Sequence, residues 1–283
     1  MAQFTNTAQL AYRGGVVNSN AAQGEVLEVY SAVKTAIRPL YTRGGDVTYA
    51  ISIVNGGTTP LSGLTVTDNL GAAPFGQTTV YPLSYADGSI RLYINGVLQS
   101  PAPTVTAGPP LTISGLNIPA GGNAVLLYEA DVTPYAPPAT GGSIVNTATV
   151  SGEGFAPITA SETVTPEARP ELSISKAVDP VPVTENGRLT YTFLIQNYGN
   201  TAATADDNVV VSDVFDPVLS DLTVTLNGAA LTEGTQYTYT PASGSFATTA
   251  GAITVPAATF AQDANGAWVI SPGAAILTVT GTV

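Results

Sequence analysis

Apolar residues alternate with Thr, Ser and Asn in short runs along most of this chain, and Gly and Pro separate the runs. The clearest run is Val47-Thr48-Tyr49-Ala50-Ile51-Ser52-Ile53-Val54-Asn55, with Leu189-Thr190-Tyr191-Thr192-Phe193-Leu194-Ile195-Gln196-Asn197 as its match. A period of two marks a half-buried strand, and antiparallel sheets with one face on a core produce it. No segment has a helical period. The expected class is all-β, and many short strands with regular turn signals favour sandwiches over a barrel. Asn95-Gly96 and Asn227-Gly228 lie between apolar residues and predict tight hairpins. Asp263-Ala264-Asn265-Gly266 predicts another before Trp268.

The pattern occurs twice. From Lys34 to Asn55 is 21 residues, and from Lys176 to Asn197 is also 21. Leu64-Thr65-Val66-Thr67-Asp68 and Val209-Val210-Val211-Ser212-Asp213 follow, the second copy carrying three extra loop residues. Two tandem β-sandwiches are therefore expected, at 27–168 and 169–283. The first ends on Ile144-Val145-Asn146-Thr147-Ala148-Thr149-Val150, before Leu172-Ser173-Ile174-Ser175-Lys176 opens the second. No equivalent segment follows Val283, yet a copy stands at the N-terminus as Phe4-Thr5-Asn6-Thr7-Ala8-Gln9-Leu10-Ala11-Tyr12. Asn146 precedes Lys176 by 30 residues, and Asn6 precedes Lys34 by 28.

That offset predicts a donor-strand arm at 1–26, a complete domain 1, and a domain 2 completed by a neighbouring subunit's arm. Phe4, Asn6, Ala8, Leu10 and Tyr12 would form the donor strand. Three other arrangements fit the same residues: an extra strand on domain 1, an arm folded back onto its own domain 2, or a fragment whose next domain is missing. Self-closure would stretch residues 13–33 over roughly 40 Å, nearly fully extended. It would also unpair the strand-like Val26-Leu27-Glu28-Val29.

Alternation further places three polar side chains inward. Leu172, Ile174, Lys176 and Val178 share a face, as do Val209, Val211, Asp213 and Phe215. In domain 1 the same holds for Leu64, Val66, Asp68 and Leu70, and for Ile144, Asn146, Ala148 and Val150. Lys34, between Ala32 and Ala36, has the register of Lys176. These two are the only lysines in the chain, at equivalent positions in the two repeats. A lysine desolvated beside an aspartate can reach a neutral amine beside a protonated acid. The amine is then a nucleophile, an Asn carboxamide is an electrophile, and the acid can pass a proton to departing ammonia. The product is a Lys–Asn isopeptide bond. The alternative is a plain buried salt bridge with Asn146 as a hydrogen-bonded neighbour.

Composition narrows the rest. The chain has 283 residues, a net charge of −12, no cysteine and no histidine. The charge argues against nucleic acid and against anionic membranes as partners. Nothing approaches transmembrane length, and Met1-Ala2-Gln3-Phe4 is not a signal peptide. Export without a leader, release on lysis, or a mature or engineered start would each account for that. Without Cys, covalent reinforcement must come from other side chains. No cofactor is expected. Asp206-Asp207 with Asp216 offers oxygen ligands for calcium but matches no established loop, so no metal site is assigned.

The order Lys, Tyr-x-Ile-x-Val-x-Asn-x-Gly, Val-x-Asp-x-Leu, Val-x-Asn-Thr-Ala resembles a bacterial surface repeat. That family is the domain of unknown function numbered eleven, found in cell-surface and spore-associated proteins. The Lys, Asp, Asn order also resembles the isopeptide-forming Ig-like domains of Gram-positive adhesins and pilins. These resemblances imply Ig-like sandwiches, with Lys34 as amine, Asp68 as catalytic acid and Asn146 as electrophile. In domain 2, Lys176 and Asp213 match, and only Asn6 of another subunit could serve as the electrophile.

The functional expectation is a structural subunit of an extracellular, cell-surface or spore-surface filament that binds itself head to tail. The alternative is an adhesin recognising carbohydrate or protein through its loops. With no His, no Cys and no phosphate loop, an enzyme acting on outside substrates is not expected.

Overall fold

The computed structural model describes residues 2–26, 30–153 and 156–283. Its elements are strands and turns, with a single 3-10 turn at Ala205–Asp207 among the described residues. The chain divides into two compact units. One comprises 1–39, 45–133 and 145–164, and the other comprises 40–44, 134–144 and 165–283.

In the first unit, one sheet runs Val97–Leu98, Arg91–Ile94, Asn123–Val132, Asp46–Asn55, Tyr30–Ala36. The last of these is here called the lysine strand. The facing sheet runs Thr104–Thr106, Leu111–Ile118, Leu61–Asp68, Ile144–Ser151, Ile158–Pro166. Leu61–Asp68 is the aspartate strand, Ile144–Ser151 the asparagine strand and Ile158–Pro166 the return strand. Alternate residues point between the sheets: Val47, Tyr49, Ile51 and Ile53 from one, and Leu64, Val66, Ile113 and Val150 from the other, are all buried. Each such side chain contributes roughly 1.5–3 kcal/mol by leaving water.

The second unit repeats the frame. Leu172–Asp179, the second lysine strand, pairs with Arg188–Asn197, which continues to Gly273–Thr282, Ser220–Leu226 and Ala229–Ala230. Across from it lies a sheet of three strands in the order Ser212–Val214, Ser245–Thr248, Tyr237–Thr240. Leu189, Tyr191, Phe193, Ile195, Leu277 and Phe246 form much of its core. Ser212–Val214, the second aspartate strand, pairs with Ser245–Thr248 on one side. Among the described residues no strand pairs with its other side.

Both predicted Asn-Gly hairpins are present, with φ of 49° and 79° at Asn95-Gly96 and 51° and 82° at Asn227-Gly228. That double left-handed turn matches strand twist and favours this dipeptide. Asp263 organises the third hairpin, its carboxylate accepting from the N–H groups of Asn265 and Ala267.

The N-terminal arm is not one strand. Ala2–Asn6 pairs with Ala22–Val26, and Gln9–Tyr12 pairs with Gly15–Asn18, so residues 2–26 form a long hairpin. The copy of 144–150 by itself predicts a lone strand, but the arm satisfies its own backbone groups by turning back at Arg13-Gly14. Of the strand-like Val26–Val29, residues 27–29 lie outside the described residues.

An asparagine ends the strand next to the lysine strand in each unit. Asn55 Nδ2 donates to the carbonyls of Thr59 (2.9 Å) and Pro119 (2.9 Å), and its Oδ1 accepts from Gly57 N–H. Asn197 does the same with Thr201 and Pro256, accepting from Glu171 and Gly199. Both are fully buried. Replacing either with Ala leaves carbonyls and N–H groups that are mostly part-buried without their partner. Urea unfolding of Asn55→Ala or Asn197→Ala is expected to show a loss of about 1–3 kcal/mol for each partner left unsatisfied.

Candidate functional site

Lys34 stands mid-strand, where period two aims it between the sheets beside Tyr49 on the neighbouring strand. Asp68 ends the aspartate strand, and Asn146 lies near the start of the asparagine strand. The structure brings these three predicted residues together: Lys34 is 2% exposed, and Asp68 and Asn146 are 0%. Lys34 Nζ forms an ion pair with Asp68 Oδ2. Its ammonium also lies 4.6 Å from the centre of the Tyr49 ring, within cation–π range.

Asp68 is held from three directions. Besides Lys34, the Tyr128 hydroxyl donates to its Oδ2 at 2.6 Å, and the Leu70 N–H donates to Oδ1 at 3.0 Å. Asn146 is held at both ends of its amide. Its Nδ2 donates to the Tyr128 oxygen at 3.3 Å, and its Oδ1 accepts from Gly71 N–H at 3.3 Å. Burial lowers the Lys34 pKa from 10.5 to about 8, and the adjacent Asp68 carboxylate keeps it from falling further. Burial likewise raises Tyr128 well above the ordinary tyrosine range, so its hydroxyl keeps its proton and serves as a donor.

Two members of this constellation were missed in the sequence, Tyr128 and the Gly71 N–H. The Gly71 group is a backbone donor, and no residue type announces it. Tyr128 did leave a signal: it shares the inward face with Leu126 and Ala130, where a hydroxyl needs a partner. Chemically, the arrangement presents an amine with a depressed pKa, an acid able to take its proton, and a carboxamide whose oxygen already receives a donor. A donor on that oxygen stabilises the charge developed when an amine attacks the carbon.

The second unit reproduces half of this. Lys176 Nζ pairs with Asp213 Oδ2 and lies 4.3 Å from the Tyr191 ring centre, as Lys34 does with Asp68 and Tyr49. Here the pair is more open, with side-chain exposures of 40% and 19%, although the Asp213 Oδ2 that meets Lys176 is itself covered. Leu172, Ile174 and Val178 flank Lys176 on the same face and are 39%, 56% and 39% exposed. The hydroxyl is also missing. Tyr128 faces Tyr49 across the sheet, and the residue facing Tyr191 is Val279. Phe215 fills the space instead, stacking on Tyr191 at 4.8 Å.

Asn6 and the other predicted donor residues Phe4, Ala8, Leu10 and Tyr12 are exposed on the arm hairpin. Within the chain they are not gathered with Lys176. The acidic loop is used locally: Asp207 Oδ2 accepts from the Thr204 N–H at 2.7 Å and from its hydroxyl at 3.1 Å. No helix among the described residues is long and apolar enough to cross a membrane.

No family model matches the sequence, and no curated protein sequence matches it, so the surface-repeat resemblance stands on its motifs alone. Similar solved structures include the collagen-binding domain of a Staphylococcus aureus adhesin, at 13% identity over 50% of this chain and 99% of that one, TM-score 0.32. Another is BcpA, the major pilin subunit of Bacillus cereus, at 12% identity over 96% of this chain and 73% of that one, TM-score 0.37. A third is the pilus backbone RrgB of Streptococcus pneumoniae, at 11% identity over 86% of this chain and 49% of that one, TM-score 0.35. The chain thus spans about half the length of that pilus backbone. Pilins and adhesins are among its structural neighbours.

Removing one charge of a buried pair is costlier than removing both. On an Asn146→Ala background, which keeps covalent chemistry out, Lys34→Met is expected to lower stability by about 3–5 kcal/mol, because Asp68 is left buried without its cation. Adding Asp68→Leu should recover most of that loss in urea unfolding.

Proposed function

We propose that this chain is the subunit of an extracellular filament, completed head to tail by a neighbour's N-terminal arm and reinforced by Lys–Asn isopeptide bonds. The observation that carries this reading is the contrast between the two lysine strands. In the first unit the asparagine strand covers Lys34, pairing Ala148 with Asp68 and Val150 with Val66. In the second, the same face and the same strand edge are open. An exposed apolar face beside an unpaired strand edge is an aggregation hazard unless a strand covers it. The arm carries a copy of the covering segment, Asn-Thr-Ala included.

Donor and acceptor are different surfaces, so the contact is heterologous, and repetition yields an open fibre rather than a closed dimer. Strand addition of this kind satisfies backbone groups and buries Phe4 and Leu10, which are 54% and 67% exposed on the free arm. Placement on a cell or spore surface follows from this role. The chemistry is directed at the protein itself and turns over once.

In the first unit, Lys34 passes its proton to Asp68 and attacks Cγ of Asn146. The new bond is Nζ–Cγ and the broken bond is Cγ–Nδ2. One of the two protons left on Nζ and the proton held on Asp68 depart with Nδ2 as ammonium, the other Nζ proton stays as the new amide N–H, and Gly71 N–H supports the oxygen throughout. Between subunits, Lys176, Asp213 and Asn6 take the same parts, without a counterpart of the Tyr128 hydroxyl.

Denaturing electrophoresis and intact mass test both bonds. A boiling-resistant ladder that disappears in Asn6→Ala is expected for the link between subunits. Monomers lighter by one ammonia, a loss abolished by Asn146→Ala or Asp68→Ala and slowed by Tyr128→Phe, are expected for the internal bond. A single band at the unmodified mass would sink the covalent part. Absence of fibres by electron microscopy, in wild type, would sink strand exchange.

Acidity gives an independent check. Up to about pH 8 the Lys34–Asp68 pair holds the one proton that the reaction must relay. Above that it is lost to solvent, and no acid remains for the leaving amide. Ammonia loss after refolding should therefore run at a steady rate below about pH 8 and slow above it, as read by time-resolved mass spectrometry.

A further inference from the structure

Donation of one strand would use half of the arm and require the other half to be peeled away. We propose instead that the donor is the whole preformed hairpin, residues 2–26, docking as a two-stranded unit on the second sandwich of another copy of this chain. This rests on the filament reading above and specifies the form in which the donor arrives.

Register is the first argument. In the first unit the asparagine and return strands are a hairpin, and the hydroxyls of Thr147 and Ser161 meet across it at 2.8 Å. Side chains that touch this closely across a ladder are directly opposite. Antiparallel pairing then sets Asn146 opposite Glu162 and Ile144 opposite Val164. In the arm, Asn6 is opposite Ala22, Thr5 opposite Gln23 and Phe4 opposite Gly24. From Asn6 to Asn146 is 140 residues, and from Gly24 to Val164 is also 140. In the ladder of Ala2–Asn6 with Ala22–Val26, both strands of the arm thus match both strands of the covering hairpin at one common offset; the register shifts by one residue before Gln9–Tyr12. A chance second strand would have no reason to share that offset.

Packing is the second. Ile144 and Val164 are both buried, a pair of middling side chains side by side on the core face. Their counterparts are one large and one absent side chain, Phe4 and Gly24. The Phe4 ring lies across the glycine, and a Cβ there would sit 2.3 Å from Phe4 Cζ. The two pairs fill the same place by different division of volume. At the alternate positions, Thr5 and Gln23 correspond to Val145 and Thr163, which are exposed in the covering hairpin.

Cost is the third. Freeing Ala2–Asn6 would break a ladder of five residue pairs, and freeing Gln9–Tyr12 a further four. A hairpin already ordered docks without that loss and without ordering two strands at the interface. Transfer of the register seen in the first unit places Ala8 opposite Asp213 and Leu10 opposite Val211, which brings Asn6 to the Lys176–Asp213 pair.

The chain's lack of cysteine makes the test direct. Thr5→Cys/Gln23→Cys places a disulfide across the arm on its outward face, locking the hairpin when oxidised. If the hairpin is the donor, the full-length variant should form fibres at the same rate oxidised and reduced, within about twofold by light scattering and microscopy. Fibres that form only after reduction would overturn the proposal, since a peeled strand is then required, while leaving the filament reading intact. Absence of fibres from wild type as well would overturn both. A variant inert in both redox states beside an active wild type has lost the interface itself. The second pair, Gln9→Cys/Asn18→Cys, then decides between hairpin and peeled strand on the same criteria.

Discussion

Burial of the Lys34–Asp68 pair is the constraint around which the first sandwich is arranged. Taking two charges out of water costs several kcal/mol per ion, and attraction between them offsets this only with good geometry and every remaining group satisfied. The structure meets that condition. Leu70 and Tyr128 donate to the carboxylate, the Tyr49 ring faces the ammonium, and Asn146 is tied in through the Tyr128 oxygen. Each of these comes from a different strand or turn. The pair therefore fixes how the two sheets meet at one end, besides holding the groups from which a bond can be made.

The second sandwich shows the same pair without its cover. Lys176 keeps its aspartate and its aromatic ring, and water reaches what Asn146 and its strand exclude in the first. A half-built version of a site elsewhere complete in the same chain is informative because the complete one supplies the template. What the open face needs is a strand with small and apolar residues at alternate positions and an amide near its start. Such a segment is present at residues 4–12, paired with residues 15–24 of the same arm.

Much of this was legible from alternation and counting. Period two placed Lys34, Asp68 and Asn146 inward, and the structure finds all three buried. Equal spacing from lysine to asparagine exposed the repeat, since loops of matched length lead to matched strands. Other features were not legible for physical reasons. Whether a terminal segment pairs with itself depends on competition among edges that period two does not rank, so the second strand of the arm was overlooked. The Gly71 N–H is a product of turn geometry. Tyr128 was legible only as an inward hydroxyl in need of a partner, and the valine at 279 reveals that this hydroxyl is particular to one repeat.

That exchange of Tyr128 for Val279, with Phe215 filling the gap, bears on fidelity. An amide crosslink cannot be reversed by reductants, so an error sealed between subunits is permanent. On the filament reading proposed above, the site between subunits would have one fewer group through which to relay a proton. A newly arrived arm would then be held at first by ladder hydrogen bonds and apolar contact alone, both of which come apart. Poorly seated arrivals would leave during that interval, and well-seated ones would stay long enough to be sealed. A handicapped second site of this kind would serve as a proofreading delay, while the first site, whose residues lie in one chain, would have no wrong partner to reject.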